Sequence, residues 1–273
     1  MIPAAFDYAA PESAGAALEA LRSHDNAVLL AGGHTLLTAL KQRQSRPGLV
    51  VDLRNAGLGR LEVDGVGDLV IGARVTQQYL ADFCAREGWP VLAEIGEKAG
   101  DPMIRARGTF VGALCAAEPG GDWAAGALAL GAMVRVLSGE GEKTLDYADY
   151  LERKAEPHIV LEASIPAKLR AAPQGYTKVK HAAIGWSVAS LAHVETEDGP
   201  RLAASGALER PRRLEAVEQV ATASKVPDLP AIDDALSALT FTGDRYAPAD
   251  WRRRRLALLV RDHLHTQSAK EPT

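Results

Sequence analysis

Ala27-Val28-Leu29-Leu30-Ala31-Gly32-Gly33-His34-Thr35-Leu36-Leu37 is the stretch whose reading decides the fold. Four apolar residues in a row read as a short buried strand, and the glycine pair ends it in a tight turn. A helical pattern runs from Thr35 to Gln44, and Gly48-Leu49-Val50-Val51-Asp52-Leu53 predicts a second strand. The unit is therefore βαβ-like, with a glycine turn at the end of its first strand. Such a turn lets backbone N–H groups at a helix start point at an anion, so a diphosphate suits it. A plain tight turn explains the same residues, and local sequence does not separate the two. The Rossmann fingerprint is absent: no third glycine stands at the required spacing, and Asp52 is the only acid near the ribose-reading position. No glycine precedes a Lys-Ser or Lys-Thr pair in the P-loop arrangement.

Working outward, Pro11–Ser23 reads as a helix with Ala17, Leu18 and Leu21 on one face. Leu61–Val63 and Leu69–Ala73 flank Asp64-Gly65 as a hairpin. Thr76–Glu87 and Pro90–Ala99 read as helices, and the glycine-rich stretch Gly100–Pro119 as loop and short strands. Then come a helix at Trp123–Leu130 and strands at Ala132–Leu137 and His158–Ile165. Pro166–Pro173 is the candidate linker. Beyond it, Gly175–Lys180, Ser187–Glu195 and Arg201–Leu208 predict strands. Helices follow at Leu214–Ser224, Ala231–Leu239 and Pro248–His265, with a frayed tail over 266–273. This order makes the chain α+β in two parts without an internal repeat. The expected domains are 1–167, with a small lobe over about 1–55 and a larger one over about 56–167, and then 173–267.

The 273 residues are 47% hydrophobic and 24% charged, with a formal net charge of −4, so nothing in the balance favours a nucleic-acid partner. Only Cys84 and Cys115 are present, which excludes an iron–sulfur cluster bound by this chain alone and points to a reducing compartment. The start shows no signal-peptide pattern, and no apolar run approaches a membrane span. The expectation is a soluble cytoplasmic protein without a membrane span. Trp251-Arg252-Arg253-Arg254-Arg255 opens the last predicted helix and reads as a solvated face or subunit contact. His263 and His265 are too close on one helix to share a face, and His181 and His193 have no ligand-spaced neighbours, so no metal site is expected. No Ser, His and acid set has recognisable nucleophile spacing, so no catalytic acid–base group is assigned.

The second informative segment is Ile104-Arg105-Ala106-Arg107-Gly108-Thr109-Phe110-Val111-Gly112-Ala113, continuing to Glu118-Pro119-Gly120-Gly121-Asp122. Small residues, a hydroxyl and exposed backbone donors suit a cofactor lying against the chain. Asp122 could accept from a sugar hydroxyl, or cap the helix at Trp123.

Taken together, AGGHTLL at Ala31–Leu37 and IRARGTFVGALCAAEPGGD at Ile104–Asp122 resemble the FAD-binding (medium) subunit of molybdenum hydroxylases, the carbon monoxide dehydrogenase and xanthine dehydrogenase family. That family reads roughly AGG-x-[ST]-L-[LI], then IRNRGTIGG-[NS]-L-x-x-A-x-P-x-x-D. Leu161–Pro166 resembles the strand before its linker, and Tyr176–Lys180 its entry into the C-terminal domain. Ala203–Leu208 and Tyr246–Leu259 resemble its closing strand and helix, so the likeness covers nearly the whole chain. It implies a two-part FAD-binding domain of the vanillyl-alcohol-oxidase and carbon monoxide dehydrogenase flavoprotein type, with a smaller C-terminal α+β domain.

Residue by residue, the resemblance implies that Leu29, Leu30, Ala31, Gly32, Gly33, His34, Thr35 and Leu36 line the FAD diphosphate. Thr109, Phe110, Val111, Gly112 and Ala113 would form a second cradle, and Asp122 would bond the sugar-alcohol part. Val160 and Lys178 fall beside the flavin, and Trp186 aligns with an aromatic that shields its ring; a core tryptophan on a strand is the other reading of Trp186. The resemblance further implies a large molybdenum-cofactor subunit and a small [2Fe-2S] subunit as partners, in a dimer of heterotrimers. Electrons would pass from the clusters through FAD to NAD, a quinone or oxygen. Four positions depart from the family pattern: Val111, Ala113, Ala106 and Met103. Val111 adds a side chain where a cofactor would approach, which motivates one rival reading, an assembly subunit that has lost FAD. A free-standing FAD oxidoreductase is the other rival, and the short C-terminal half speaks against it.

Overall fold

The computed structural model describes residues 2–152, 156–181, 185–224 and 227–268. In chain order the first elements are β1 (Asp7–Ala9), α1 (Ala14–Arg22), β2 (Ala27–Leu30), α2 (Leu36–Lys41), β3 (Leu49–Asp52), β4 (Leu61–Val63) and β5 (Leu69–Gly72). Five helices follow: α3 (Gln77–Glu87), α4 (Pro90–Lys98), α5 (Pro102–Arg107), α6 (Phe110–Ala116) and α7 (Asp122–Ala129). Next come β6 (Met133–Ser138), β7 (Gly141–Asp146), α8 (Tyr147–Leu151) and β8 (His158–Ile165). The chain continues through β9 (Gln174–Lys180), β10 (Ser187–Thr196), β11 (Gly199–Ser205) and β12 (Arg212–Arg213). It closes with α9 (Glu215–Ala223), α10 (Leu229–Ala235) and α11 (Ala249–Ser268). Of the tail expected to fray, 269–273 lies outside the described residues.

The chain is α+β and divides into two compact units that interleave in sequence. One comprises Met1–Asp82, Pro102–Ala116 and Gly131–Ala167; the other comprises Phe83–Asp101, Ala117–Leu130 and Lys168–Thr273. The first unit holds two sheets. In the smaller, the order is β1-β3-β2 and both pairings are parallel. Its central strand, Leu49-Val50-Val51-Asp52, is buried throughout, as expected of a parallel strand covered on both faces. Helix α1 starts where Ser13 Oγ accepts the Ala16 N–H at 3.2 Å, and it packs Ala17 and Leu18 into a core with Leu49, Val51 and Leu161. The larger sheet has the order β4-β5-β8-β6-β7 and is antiparallel throughout.

In the second unit the sheet order is β12-β11-β10-β9. Ala189 and Leu191 of β10 and Leu202 and Ala204 of β11 form a core with Val217, Ile232, Leu256 and Val260 of the three following helices. Helix α7 is buried at all eight positions, the expectation for a helix that is apolar all round past its first residue, Asp122. A Cβ on Gly126 would stand 2.3 Å from Ile95 Cδ1, so the glycine sets the close approach of α7 to α4.

Two expectations need correction. Residues 100–119 hold two helices, α5 and α6, rather than loop and short strands. Each spans about two turns or fewer, too few for a 3.6-residue period to show, and Gly108-Thr109 separates them. Arg252 is not part of a solvated face: it is buried, donates to Gly206 O and Ala247 O, and pairs with Asp244 at 2.6 Å. Arg253 is bidentate to Asp233, while Arg254 and Arg255 are exposed as expected.

Candidate functional site

The parallel sheet of the first unit ends, at the carboxyl edge of its strands, in Leu30 and Asp52; this is where open parallel sheets place ligands. Strand alternation sends Leu29 into the core and leaves Leu30 facing a cavity of about 550 Å³. Phe6, Tyr8, Leu30, Ala31, Gly32 and Leu37 line it together with Asp52, Arg54, Arg74 and Arg107. Its volume lies within the range of small-molecule sites, about 300–1,000 Å³. Three guanidinium groups against one carboxylate make the lining net positive.

The two glycine segments meet at this cavity. A Cβ on Gly32 would stand 2.4 Å from Arg107 O, 2.7 Å from Gly108 Cα and 2.7 Å from Thr109 N. Only glycine lets the first loop lie against the backbone of the second. Gly33 takes φ of +84°, a left-handed turn into α2, and a Cβ there would also strike Leu37 Cδ1 at 2.8 Å. His34 and Thr35 are exposed, and the Thr35 hydroxyl makes no capping bond to its own helix. Leu36 begins α2 and is half-buried. Arg74 donates to Ala31 O and ties the loop to the strand end after β5.

On the second segment, Thr109 Oγ1 accepts the Gly112 N–H at 3.1 Å, and the Phe110 N–H donates to Val75 O at 3.1 Å. The expectation of several exposed donors there is therefore corrected in part: these two amides are satisfied within the protein. Phe110 and Val111 are buried by protein atoms, Gly112 and Ala113 half-buried. Because Val111 is 2% exposed, its side chain takes no room from a ligand, contrary to the concern raised by the sequence. Val160, on β8, is buried and pairs with Val136.

The remaining site residues lie in the second unit and form a group of their own. Asp122 is the first residue of α7, with Gly121 at the N-cap, so the capping reading of Asp122 fails. Its carboxylate accepts from Tyr176 Oη and Ser187 Oγ, both at 2.5 Å, and from Lys178 Nζ at 2.7 Å. Lys178 also donates to Lys98 O at 3.0 Å and Gly185 O at 2.6 Å, which uses all three of its N–H groups. Both side chains of the ion pair are almost fully buried. Burial draws the Lys178 ammonium below the ordinary lysine range, against the pull of Asp122. Burial, then the Asp122 charge, holds the Tyr176 phenol well above the ordinary tyrosine value. Trp186 is 52% exposed and covers Gly120, so the core-tryptophan reading is corrected.

Sequence reasoning missed Phe6, Tyr8, Arg54 and Arg74 as cavity residues. Asp52 offered a signal, an acid at the end of a buried strand: its carboxylate accepts from Tyr8 Oη at 2.9 Å and Arg54 Nε at 2.7 Å. Tyr8 and Arg74 offered none, since 44 and 43 residues separate them from their partners. The expectation for His193 also changes: it neighbours His263, from a different element, in the second unit.

Tested against FAD, the first unit fits the cofactor's anionic part: arginines and a left-handed glycine loop face a cavity that Val111 does not enter. Comparisons with known proteins agree. Residues 4–168 match the family described as the FAD binding domain in molybdopterin dehydrogenase. The nicotine 6-hydroxylase medium subunit of Paenarthrobacter nicotinovorans is 30% identical, covering 94% of this chain and 95% of that protein. The carbon monoxide dehydrogenase medium chain of Afipia carboxidovorans is 31% identical over 99% of both chains. Among solved structures, reconstituted CO dehydrogenase from Oligotropha carboxidovorans superposes with a TM-score of 0.88 at 29% identity, covering 99% of this chain and 100% of the other. No helix among the described residues is long and apolar enough to cross a membrane. The chain thus belongs to the family of FAD-binding domains of molybdopterin dehydrogenases.

Proposed function

We propose that this chain is the electron-relay subunit of a multi-subunit molybdenum hydroxylase. It would receive electrons from the [2Fe-2S] clusters of a small subunit and pass them to an outside acceptor: NAD, a quinone or oxygen. A large subunit would carry the molybdenum cofactor, in a dimer of heterotrimers within the cytoplasm. The observation that carries the reading is the pair of glycine segments closed on each other at Gly32, beside an arginine-lined cavity at the carboxyl edge of a parallel sheet.

When bound, FAD supplies the redox chemistry, exchanging electrons singly or in pairs; the protein supplies binding, orientation and electrostatics. Gly32, Gly33, His34 and Thr35 would hold the diphosphate, with Arg54, Arg74 and Arg107 balancing its charge. Thr109, with Arg107 and Gly108, would brace that loop from behind, because their backbone lies against Gly32, and Gly112 would hold Thr109 through its hydroxyl. Leu30, Leu36 and Ala31 would exclude water from the diphosphate. Phe110, Val111 and Val160 would act as packing beneath the site, Ala113 as a small neighbour to it. Asp122, Lys178 and Trp186 would belong to the flavin and sugar-alcohol side, where the closed Asp122–Lys178 pair fixes the local charge and the exposed indole of Trp186 offers a flat apolar face. No acid–base pair for substrate oxidation is assigned to this chain, which accords with chemistry carried by a partner.

The test is the visible spectrum of the protein purified with its partners, with the released cofactor identified by chromatography. FAD near one per chain supports the relay. A colourless protein that fails to take up added FAD overturns it and returns the chain to the assembly reading.

A further inference from the structure

Strand β10 and helix α11 bring together three side chains that lie far apart in sequence. His193 and Glu195 stand two residues apart on β10 and so share the face that carries Ala189 and Leu191 toward the core with α11. From α11, His263 reaches the same place: its Nε2 lies 3.0 Å from Glu195 Oε1, and its ring stacks on that of His193 with centroids 3.7 Å apart and planes 32° from parallel. One potential ligand atom from each residue lies within 4.8 Å of the other two. The His263 side chain is 7% exposed and that of Glu195 is 28% exposed, so the cluster is sheltered yet reachable. Room for His193 comes from a missing side chain: a Cβ on Gly175 would stand 2.7 Å from His193 Nε2.

We propose that His193, Glu195 and His263 form a zinc site that clamps α11 to β10. Two imidazoles and a carboxylate are a donor set that zinc takes, with a fourth position left for water. Zinc–nitrogen bonds of about 2.0–2.1 Å put tetrahedral ligand atoms roughly 3.3 Å apart, so donors within 4.8 Å of one another need to draw in by at most about 1.5 Å. Glu195, whose side chain is more exposed than that of His263, can supply that movement by rotation. Binding through His263 Nε2 needs the tautomer protonated at Nδ1, so a proton on Nε2 moves by way of solvent to Nδ1 and the ring stays neutral. The cluster shares no residue with the proposed flavin site.

The experiment is calorimetric titration of the chelator-treated full-length protein with Zn2+, with Co2+ absorption as a report of ligand geometry. Expected are one saturable ion per chain, a visible Co2+ band and a rise in melting temperature with Zn2+. His263→Ala and Glu195→Gln should each weaken Zn2+ by more than about tenfold. Gly175→Ala, which keeps all three ligands and displaces the His193 ring, should weaken it as well. His265→Ala, on the same helix, should not change it. FAD content should remain at the wild-type level in each folded variant, which separates failure of this site from failure of the flavin reading. No saturable Zn2+ binding in the wild type, or binding that the Glu195 and Gly175 variants leave within about twofold, would reduce the cluster to a hydrogen-bonded stack and overturn the proposal.

Discussion

Gly32→Ala adds one methyl group where the two glycine segments touch. The new Cβ would face Arg107 O at 2.4 Å, against 3.4 Å for the start of ordinary van der Waals contact, and the nearest atoms are all backbone. No rotamer change relieves it, so the segments must separate by about 1 Å or hold strain, and overpacking of this kind costs about 1–3 kcal/mol. Flavin uptake then has to restore the closed arrangement at that cost. At 1.4 kcal/mol per tenfold change, apparent FAD affinity should fall roughly 5- to 150-fold. The assay is fluorescence titration of deflavinated protein with FAD, beside thermal denaturation of the apoprotein. Gly59→Ala is the control, because a Cβ there meets nothing within 4 Å. If Gly32→Ala binds FAD and melts as the wild type does, the contact between the segments does not shape the site.

Gly33→Val should abolish FAD retention, since valine opposes φ of +84° and strikes Leu37; Gly112→Val should do the same by displacing Thr109 Oγ1, 2.5 Å from the new Cβ. Normal flavin content in both would sink the two-loop site. Asp122→Asn leaves the buried Lys178 ammonium without its counter-charge and should destabilise the protein by about 3–5 kcal/mol, read by denaturant unfolding; an unchanged midpoint would contradict the closed ion pair. Burial raises the phenols of Tyr147 and Tyr176 above the ordinary tyrosine value of about 10. The folded chain keeps these protons that the unfolded chain releases, so their contribution is present below about pH 10 and is lost as pH rises past it. Ultraviolet titration should show both ionising only as the protein unfolds, and Tyr147→Phe with Tyr176→Phe should remove that late step; smooth ionisation of all six tyrosines would refute it.

By itself, the sequence settled the βαβ-like start, the longer helices and central strands, and the cofactor family. Each rests on local information: a strand broken by Gly32-Gly33, apolar residues on one helix face, two motifs at a fixed spacing. Residues 100–119 were misread because α5 and α6 are too short to show a period, so composition suggested loop. Only the tertiary structure decided that Gly32 packs on Arg107–Thr109, that Val111 turns into the protein, and that Arg74 and Tyr8 join the cavity. It also decided that Asp122 is consumed by Lys178, Tyr176 and Ser187, and that His193 meets His263. The physical reason is common to all of these. Backbone preferences and periodicity act over a few residues and are written along the chain. Contacts between segments that lie 40 to 80 residues apart, such as Tyr8 with Asp52 or His263 with Glu195, arise only when burial of apolar surface brings them together.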